Sequence, residues 1–299
     1  MIFIIESPGI MAEPKPSFNP SPSKPRLKLP RGACDTHFHV FGPAKKFPFG
    51  PDRAYTPADA PKESLFALHQ HLGIERGVVV QSAAHGFDNS ASTDLIAAHP
   101  KNYLGVALLR PTASVDELKK MHRQGFRGVR FHYMGHLGEG FPIDDVIAFA
   151  GKLADIGWHL QIHTEGARIG ELAPALKRSP VPVIIDHIGR IDASQGLNQK
   201  PFQELMQLMK SKNIWVKVSG CERISRQSSP WKDALPFARK LVEEFPAQTV
   251  WGTDWPHPNL KEIPDDGVMV DNLAEIAPSE AQRKALLVDN PSRFYGFKA

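Results

Sequence analysis

From Ala33 to the C-terminus, short runs of β-branched and apolar residues alternate with longer amphipathic runs, eight of each. That rhythm constrains the fold more than any other feature. Strands joined through helices must lie parallel, because each helix carries the chain back along the sheet. The strand runs are 33–40, 77–81, 104–109, 128–131, 158–163, 181–186, 214–218 and 248–252. The runs 62–72, 90–99, 115–124, 144–156, 168–177, 201–212, 231–244 and 273–287 space their apolar residues as helices lying on a sheet do. Gly73, Gly125 and Gly157 follow three of these helices, where a left-handed cap suits glycine.

Eight such units close into a (β/α)8 TIM barrel, which takes about 250 residues, and 31–299 supplies them as a single α/β domain. An open doubly wound sheet would more typically carry a glycine-rich phosphate loop after its first strand. Here strand one runs instead into Phe41-Gly42-Pro43-Ala44-Lys45-Lys46-Phe47-Pro48-Phe49-Gly50-Pro51, a long loop able to wall a pocket, its phenylalanines suited to packing. Residues 1–30 are expected to form a flexible tail: Pro14, Pro16, Pro20, Pro22, Pro25 and Pro30 lie among Ser and Lys, with nothing to bury. Met11 offers an alternative start, which would leave the first ten residues outside the mature protein.

Thirty-six Lys and Arg against 32 Asp and Glu give a net charge of +4 with no basic block, which argues against nucleic-acid binding and mildly favours an anionic ligand. No run approaches the roughly 18 apolar residues of a membrane span, and Met1-Ile2-Phe3-Ile4-Ile5 lacks the basic start of a secretory signal. Cys34 and Cys221 are too few for a disulfide or zinc framework. A cytoplasmic protein with a small-molecule substrate is expected, and its oligomeric state is not legible.

A barrel puts its chemistry where strands end and loops begin. Asp254, in Trp251-Gly252-Thr253-Asp254-Trp255-Pro256-His257-Pro258, follows strand eight; His37 and His39 end strand one, two apart and so on the same face; His163 ends strand five and His187 strand six. One such histidine is ordinarily a satisfied core residue. Several with a carboxylate at one rim point instead to catalysis or to a divalent ion such as zinc or manganese. Asp254 is the expected general base, able to take a proton from water and return it to a leaving oxygen. Asp35 and Asp186 support the histidines, and His257 is a candidate to face the pocket. His69, His71, His99, His122 and His159 fall away from the rim, while His85, His132 and His136 are open. Arg130, at the end of strand four, and Arg223, just after strand seven, could hold a substrate carboxylate in two-pronged fashion, with hydroxyls from Tyr55 and Ser82.

The stretches Cys34-Asp35-Thr36-His37-Phe38-His39-Val40-Phe41-Gly42-Pro43, Gly77-Val78-Val79-Val80-Gln81, Arg127-Gly128-Val129-Arg130-Phe131, Ile185-Asp186-His187-Ile188-Gly189-Arg190 and 251–260 together make the chain similar to the amidohydrolase superfamily, in its branch of lactonases acting on small acids such as pyrone dicarboxylates. The resemblance spans nearly everything after residue 30. It implies lactone hydrolysis in aromatic-compound breakdown, with His37, His39 and His187 polarising the carbonyl, Asp254 activating water, and Arg130, Arg223, Tyr55 and Ser82 holding the acid. Pyrone dicarboxylate lactonases of this branch have a tyrosine and a further arginine where this chain has His163 and His136, so the acid should be held differently. His163 also stands where other members of the superfamily place a metal ligand. The expected metal set is therefore His37, His39, His163 and Asp254, flanked by His187, if an ion is bound, with metal-free action the other arrangement. Rival readings are a sugar-acid lactone hydrolase or isomerase, a decarboxylase, and a binding barrel without catalysis.

Overall fold

The computed structural model describes residues 16–138 and 140–297. Eight parallel strands, β1 Cys34–Phe38, β2 Arg76–Val80, β3 Tyr103–Leu108, β4 Phe126–Tyr133, β5 His159–Thr164, β6 Val183–Ile185, β7 Ile214–Lys217 and β8 Thr249–Val250, follow one another in sequence order around a single sheet. The sheet closes through the residues just after β8. Thr36 N donates to Trp251 O at 3.0 Å, Asp254 N to His37 O at 2.7 Å and His39 N to Trp255 O at 2.7 Å. Gly252 sits in this seam, where a Cβ would collide with the backbone nitrogen of His37.

The helices are α1 Lys62–Leu72, α2 Ser90–Ala98, α3 Val115–Arg123, α4 Ile143–Ala154, α5 Ile169–Lys177, α6 Lys200–Met209, α7 Cys221–Ile224, α8 Leu235–Glu244, α9 Asp266–Asp271, α10 Leu273–Ile276, α11 Glu280–Lys284 and α12 Asn290–Tyr295. The helix expected at 231–244 begins only at Leu235, after a turn through Trp231 at φ +58°. The continuous helix expected at 273–287 is broken. Pro278, which offers no backbone donor, follows α10, and Ser279 restarts the chain with a capping box to Gln282.

The main apolar core fills the space between strands and helices. At the N-terminal mouth of the barrel, α12 acts as a plug: the Phe294 ring lies 4.6 Å from His159 and 4.7 Å from Trp215, and Tyr295 is buried beside it. The opposite mouth is left to the loops that carry chemistry. Residues 16–30, within the segment expected to be a flexible tail, hold defined contacts on the barrel. Phe18 packs on Trp255 at 4.9 Å, Ser23 is held by Asp265, Arg26 pairs with Asp271, and Leu29 enters the core. The rest of the expected tail, and Met11 with it, lies outside the described residues. Among the described residues no helix is long and apolar enough to cross a membrane.

Candidate active site

Pairing of β1 with β2 shifts register between Asp35 and Phe38, which separates the roles of neighbouring side chains. Asp35 and Phe38 face His69 on the helix side of the strand. Asp35 also accepts from Thr253 Oγ1 at 2.6 Å and Thr253 N at 3.0 Å, tying the first strand to the segment after β8. His37 and His39 point the other way, toward Asp254.

Asp254 lies at φ +61°, a left-handed conformation that costs a non-glycine residue about 1–3 kcal/mol and is stored at functional sites. Its Oδ1 is faced by three imidazole nitrogens: His39 Nε2 at 3.4 Å, His37 Nε2 at 3.6 Å and His187 Nε2 at 3.7 Å. Its Oδ2 is held by Arg223 Nε. Burial alone would push this carboxyl up, but the guanidinium of Arg223 and the surrounding imidazoles hold it well below the usual carboxylate range. His187, Ile188, Gly189 and Arg190 all adopt positive φ, and this tight turn after β6 is what brings both His187 and Arg190 to the rim.

The proton positions follow from partners. His39 Nδ1 lies 2.7 Å from the carbonyl oxygen of Val80, which can only accept, so Nδ1 carries a proton, and the ring in its neutral form has its lone pair at Nε2. His187 Nδ1 faces Ser219 Oγ at 3.1 Å, a hydroxyl able to donate and so to leave a proton on Nε2. Burial pulls His187 down to about 3 and His37 well below its ordinary value, the latter helped by the charge of Lys217, so both rings are neutral at pH 7.

Behind the histidines lies a charged cluster without solvent. Asp186 Oδ2 accepts from Arg130 Nε at 2.8 Å and Gln161 Nε2 at 3.1 Å, while its Oδ1 lies 3.6 Å from Lys217 Nζ. Burial would raise Asp186, yet Arg130, His37 and Lys217 together hold it well below the carboxylate range.

In front is a cavity of about 390 Å³, lined among others by His39, Tyr55, Ser82, Arg130, His132, His136, His163, His187, Arg190, Arg223 and Asp254. Every residue expected to hold substrate, namely Arg130, Arg223, Tyr55, Ser82 and His163, is on this wall. Tyr55 Oη and Ser82 Oγ are 2.9 Å apart. Three guanidiniums and one carboxylate line the pocket, and although Arg130 is paired with Asp186 behind it, the wall carries an excess of positive charge. Arg190, to which the sequence reading gave no role, is the third of them, and burial draws it down to about 10.

Other expectations shift. His257 turns to Asp266 at 3.0 Å rather than into the cavity. His163 places Nδ1 3.2 Å from Nδ1 of His132, and neither Nε2 has a hydrogen-bond partner among the described residues. His163 and His39 therefore lie outside the compact donor set, which is His37, His187 and Asp254, with ligand atoms within 4.8 Å of one another. In spacing, this cluster could hold one metal ion. Cys34 and Cys221 are buried free thiols.

This geometry meets its parallels among known proteins. The chain is 44% identical to a 2-pyrone-4,6-dicarboxylate hydrolase of Comamonas testosteroni over 92% of its length and 93% of the relative's. It is 40% identical to a 4-sulfomuconolactone hydrolase of Hydrogenophaga intermedia over 91% of each. A crystal structure of a probable 2-pyrone-4,6-dicarboxylic acid hydrolase from Acinetobacter baumannii, with citric acid bound, superposes with a TM-score of 0.81 at 26% identity, covering 89% of this chain and all of that one. The family model described as amidohydrolase matches residues 34–297. The chain belongs to the amidohydrolase family.

Proposed function

We propose that this protein hydrolyses an anionic lactone from aromatic-compound breakdown, carrying two acidic groups, of the kind named for its relatives. One observation carries the reading: a single carboxylate ringed by three imidazoles opens onto a cavity with three guanidiniums. Citrate in the solved relative supports a pocket made for polycarboxylates.

In this reading Arg130, Arg190 and Arg223 take the substrate's acidic groups, with Tyr55 and Ser82 as hydroxyl partners and His163 beside them. His37 and His187 polarise the lactone carbonyl. Water held between His39 Nε2 and Asp254 Oδ1 attacks the carbonyl carbon and passes one proton to Asp254. The tetrahedral intermediate then breaks its bond to the ring oxygen, which receives that proton, and the new carboxylic acid ionises. A carboxylate that binds Arg223 shares the guanidinium now concentrated on Asp254, which strengthens Asp254 as a base in the complex.

Zinc or manganese, the ion expected from the sequence, would be held by His37, His187 and Asp254. It would need a lone pair on His37 Nε2. Lys217 Nζ bonds His37 Nδ1 at 3.2 Å and thereby puts the proton of the neutral ring on Nε2. As arranged, the side chains do not fit a divalent ion, and the reaction is written through them alone.

The test is a panel of lactones assayed by ring opening: 2-pyrone-4,6-dicarboxylate, 4-sulfomuconolactone and a neutral sugar lactone. The dianionic substrates should exceed the neutral one by at least about 100-fold in kcat/KM, since two charge-assisted contacts are lost with it. Equal rates, or opening of the sugar lactone alone, would overturn the assignment.

A further inference from the structure

Lys217, at the end of β7, is wholly buried beneath the site and lines no part of the cavity. A lysine is seldom fully buried without partners, and these partners are specific. Its Nζ donates to Thr36 O at 2.9 Å and to Gln161 Oε1 at 2.9 Å. The third proton has one bonded destination, His37 Nδ1 at 3.2 Å. Asp186 Oδ1 lies 3.3 Å from the same ring nitrogen and 3.6 Å from Nζ, so it competes for both, while the Arg130 and Gln161 donors fall on Oδ2.

An ammonium has three protons and no lone pair, so a ring nitrogen bonded to it must accept. His37 Nδ1 therefore carries the lone pair and Nε2 the proton. That Nε2 is buried, makes no hydrogen bond within the described protein, and stands 3.6 Å from Asp254 Oδ1. His39, two residues along, is in the opposite tautomer because Val80 O fixes a proton on its Nδ1. One strand thus offers a donor and an acceptor side by side, as a site must if it is to hold a carbonyl oxygen and a water together.

We propose that Lys217 is a positioning residue: it fixes His37 as an Nε2–H donor toward the substrate carbonyl and, by the same bond, denies a metal ion that nitrogen. Asp186 is the competing partner. Without Lys217, the ring would turn its Nδ1 proton to Asp186 Oδ1 and release a lone pair at Nε2, and the compact His37, His187 and Asp254 set would become a ligand set. The effect on turnover rests on the lactonase reading; the tautomer and the metal preference do not.

Long-range ¹H–¹⁵N spectra of the histidine rings in the free protein test this directly, with His37 assigned by its loss in His37→Asn. The wild type should show His37 protonated on Nε2, and a ring protonated on Nδ1 overturns the proposal whether or not any variant folds. In Lys217→Met the His37 proton should move to Nδ1, and zinc retained after dialysis and gel filtration should rise from well below one to about one per chain. With 2-pyrone-4,6-dicarboxylate, kcat should fall about 10- to 100-fold with KM changed less than about threefold. Wild type that retains one zinc per chain, or a variant that keeps the Nε2–H form, overturns it. A panel with no lactone turnover but the expected tautomer would sink the lactonase reading and leave this one standing.

Discussion

Asp254→Asn is expected to lower kcat for lactone opening by about 10³- to 10⁴-fold, the loss typical of removing a group that both takes and returns the reacting proton. The substitution is well matched to the site. Asp254 adopts φ +61°, and asparagine is among the few residues that tolerate the left-handed region, so the backbone turn after β8 should persist where alanine would strain it. An amide retains a carbonyl oxygen for the imidazoles but cannot act as a base. Affinity for a non-hydrolysed dicarboxylate should hold or tighten, because Arg223 loses the carboxylate that now competes for it. Steady-state kinetics paired with calorimetric titration separates the two effects. A kcat within tenfold of wild type would remove Asp254 from the reaction.

Arg130→Met should damage stability and activity together. Arg130 and Asp186 form an ion pair at 2.8 Å in which both side chains are almost wholly buried, and removing one partner of such a pair typically costs about 3–5 kcal/mol. Lys217 and His37 remain beside Asp186, which places the expected loss at the lower end of that range. For a chain of this size a fall in Tm of roughly 5 °C follows. Adding Asp186→Leu should not recover that loss, because Lys217 would then be buried without its neighbouring carboxylate, and activity stays low, since the guanidinium also lines the cavity. An unchanged Tm in the single variant would show that the pair contributes nothing to folding.

Much of this molecule was legible in the chain itself. The alternation of apolar strands and amphipathic helices led to the barrel, and residues following strands one, five, six and eight led to His37, His39, His163, His187 and Asp254, because strand ends are visible as breaks in apolar runs. Arg130, Arg223, Tyr55 and Ser82 also meet at one cavity as expected. What escaped depends on geometry without a local signal. Lys217 ends the apolar run Ile214-Trp215-Val216 and carries no signal of its own; only closure of the barrel turns it inward. Arg190 reaches the pocket through successive residues of positive φ, a turn no periodicity announces. His163 was expected as a metal ligand from the family resemblance, whereas it stands outside the compact set of His37, His187 and Asp254, its Nδ1 meeting His132, a neighbour visible only once β4 and β5 are paired in register. The closing helix misled for a simpler reason: Pro278 lay inside the apolar pattern and outweighed it.

Hydrolysis at Asp254 requires water to enter the substrate at the lactone carbonyl carbon. Ring opening of 2-pyrone-4,6-dicarboxylate by the wild-type protein in H₂¹⁸O, followed by mass spectrometry of the product, reports the bond that forms. Attack on the carbonyl carbon predicts one ¹⁸O per turnover, located in the newly formed carboxylate. A newly formed carboxylate without ¹⁸O, or no opening at all, would contradict carbonyl attack by water activated at Asp254.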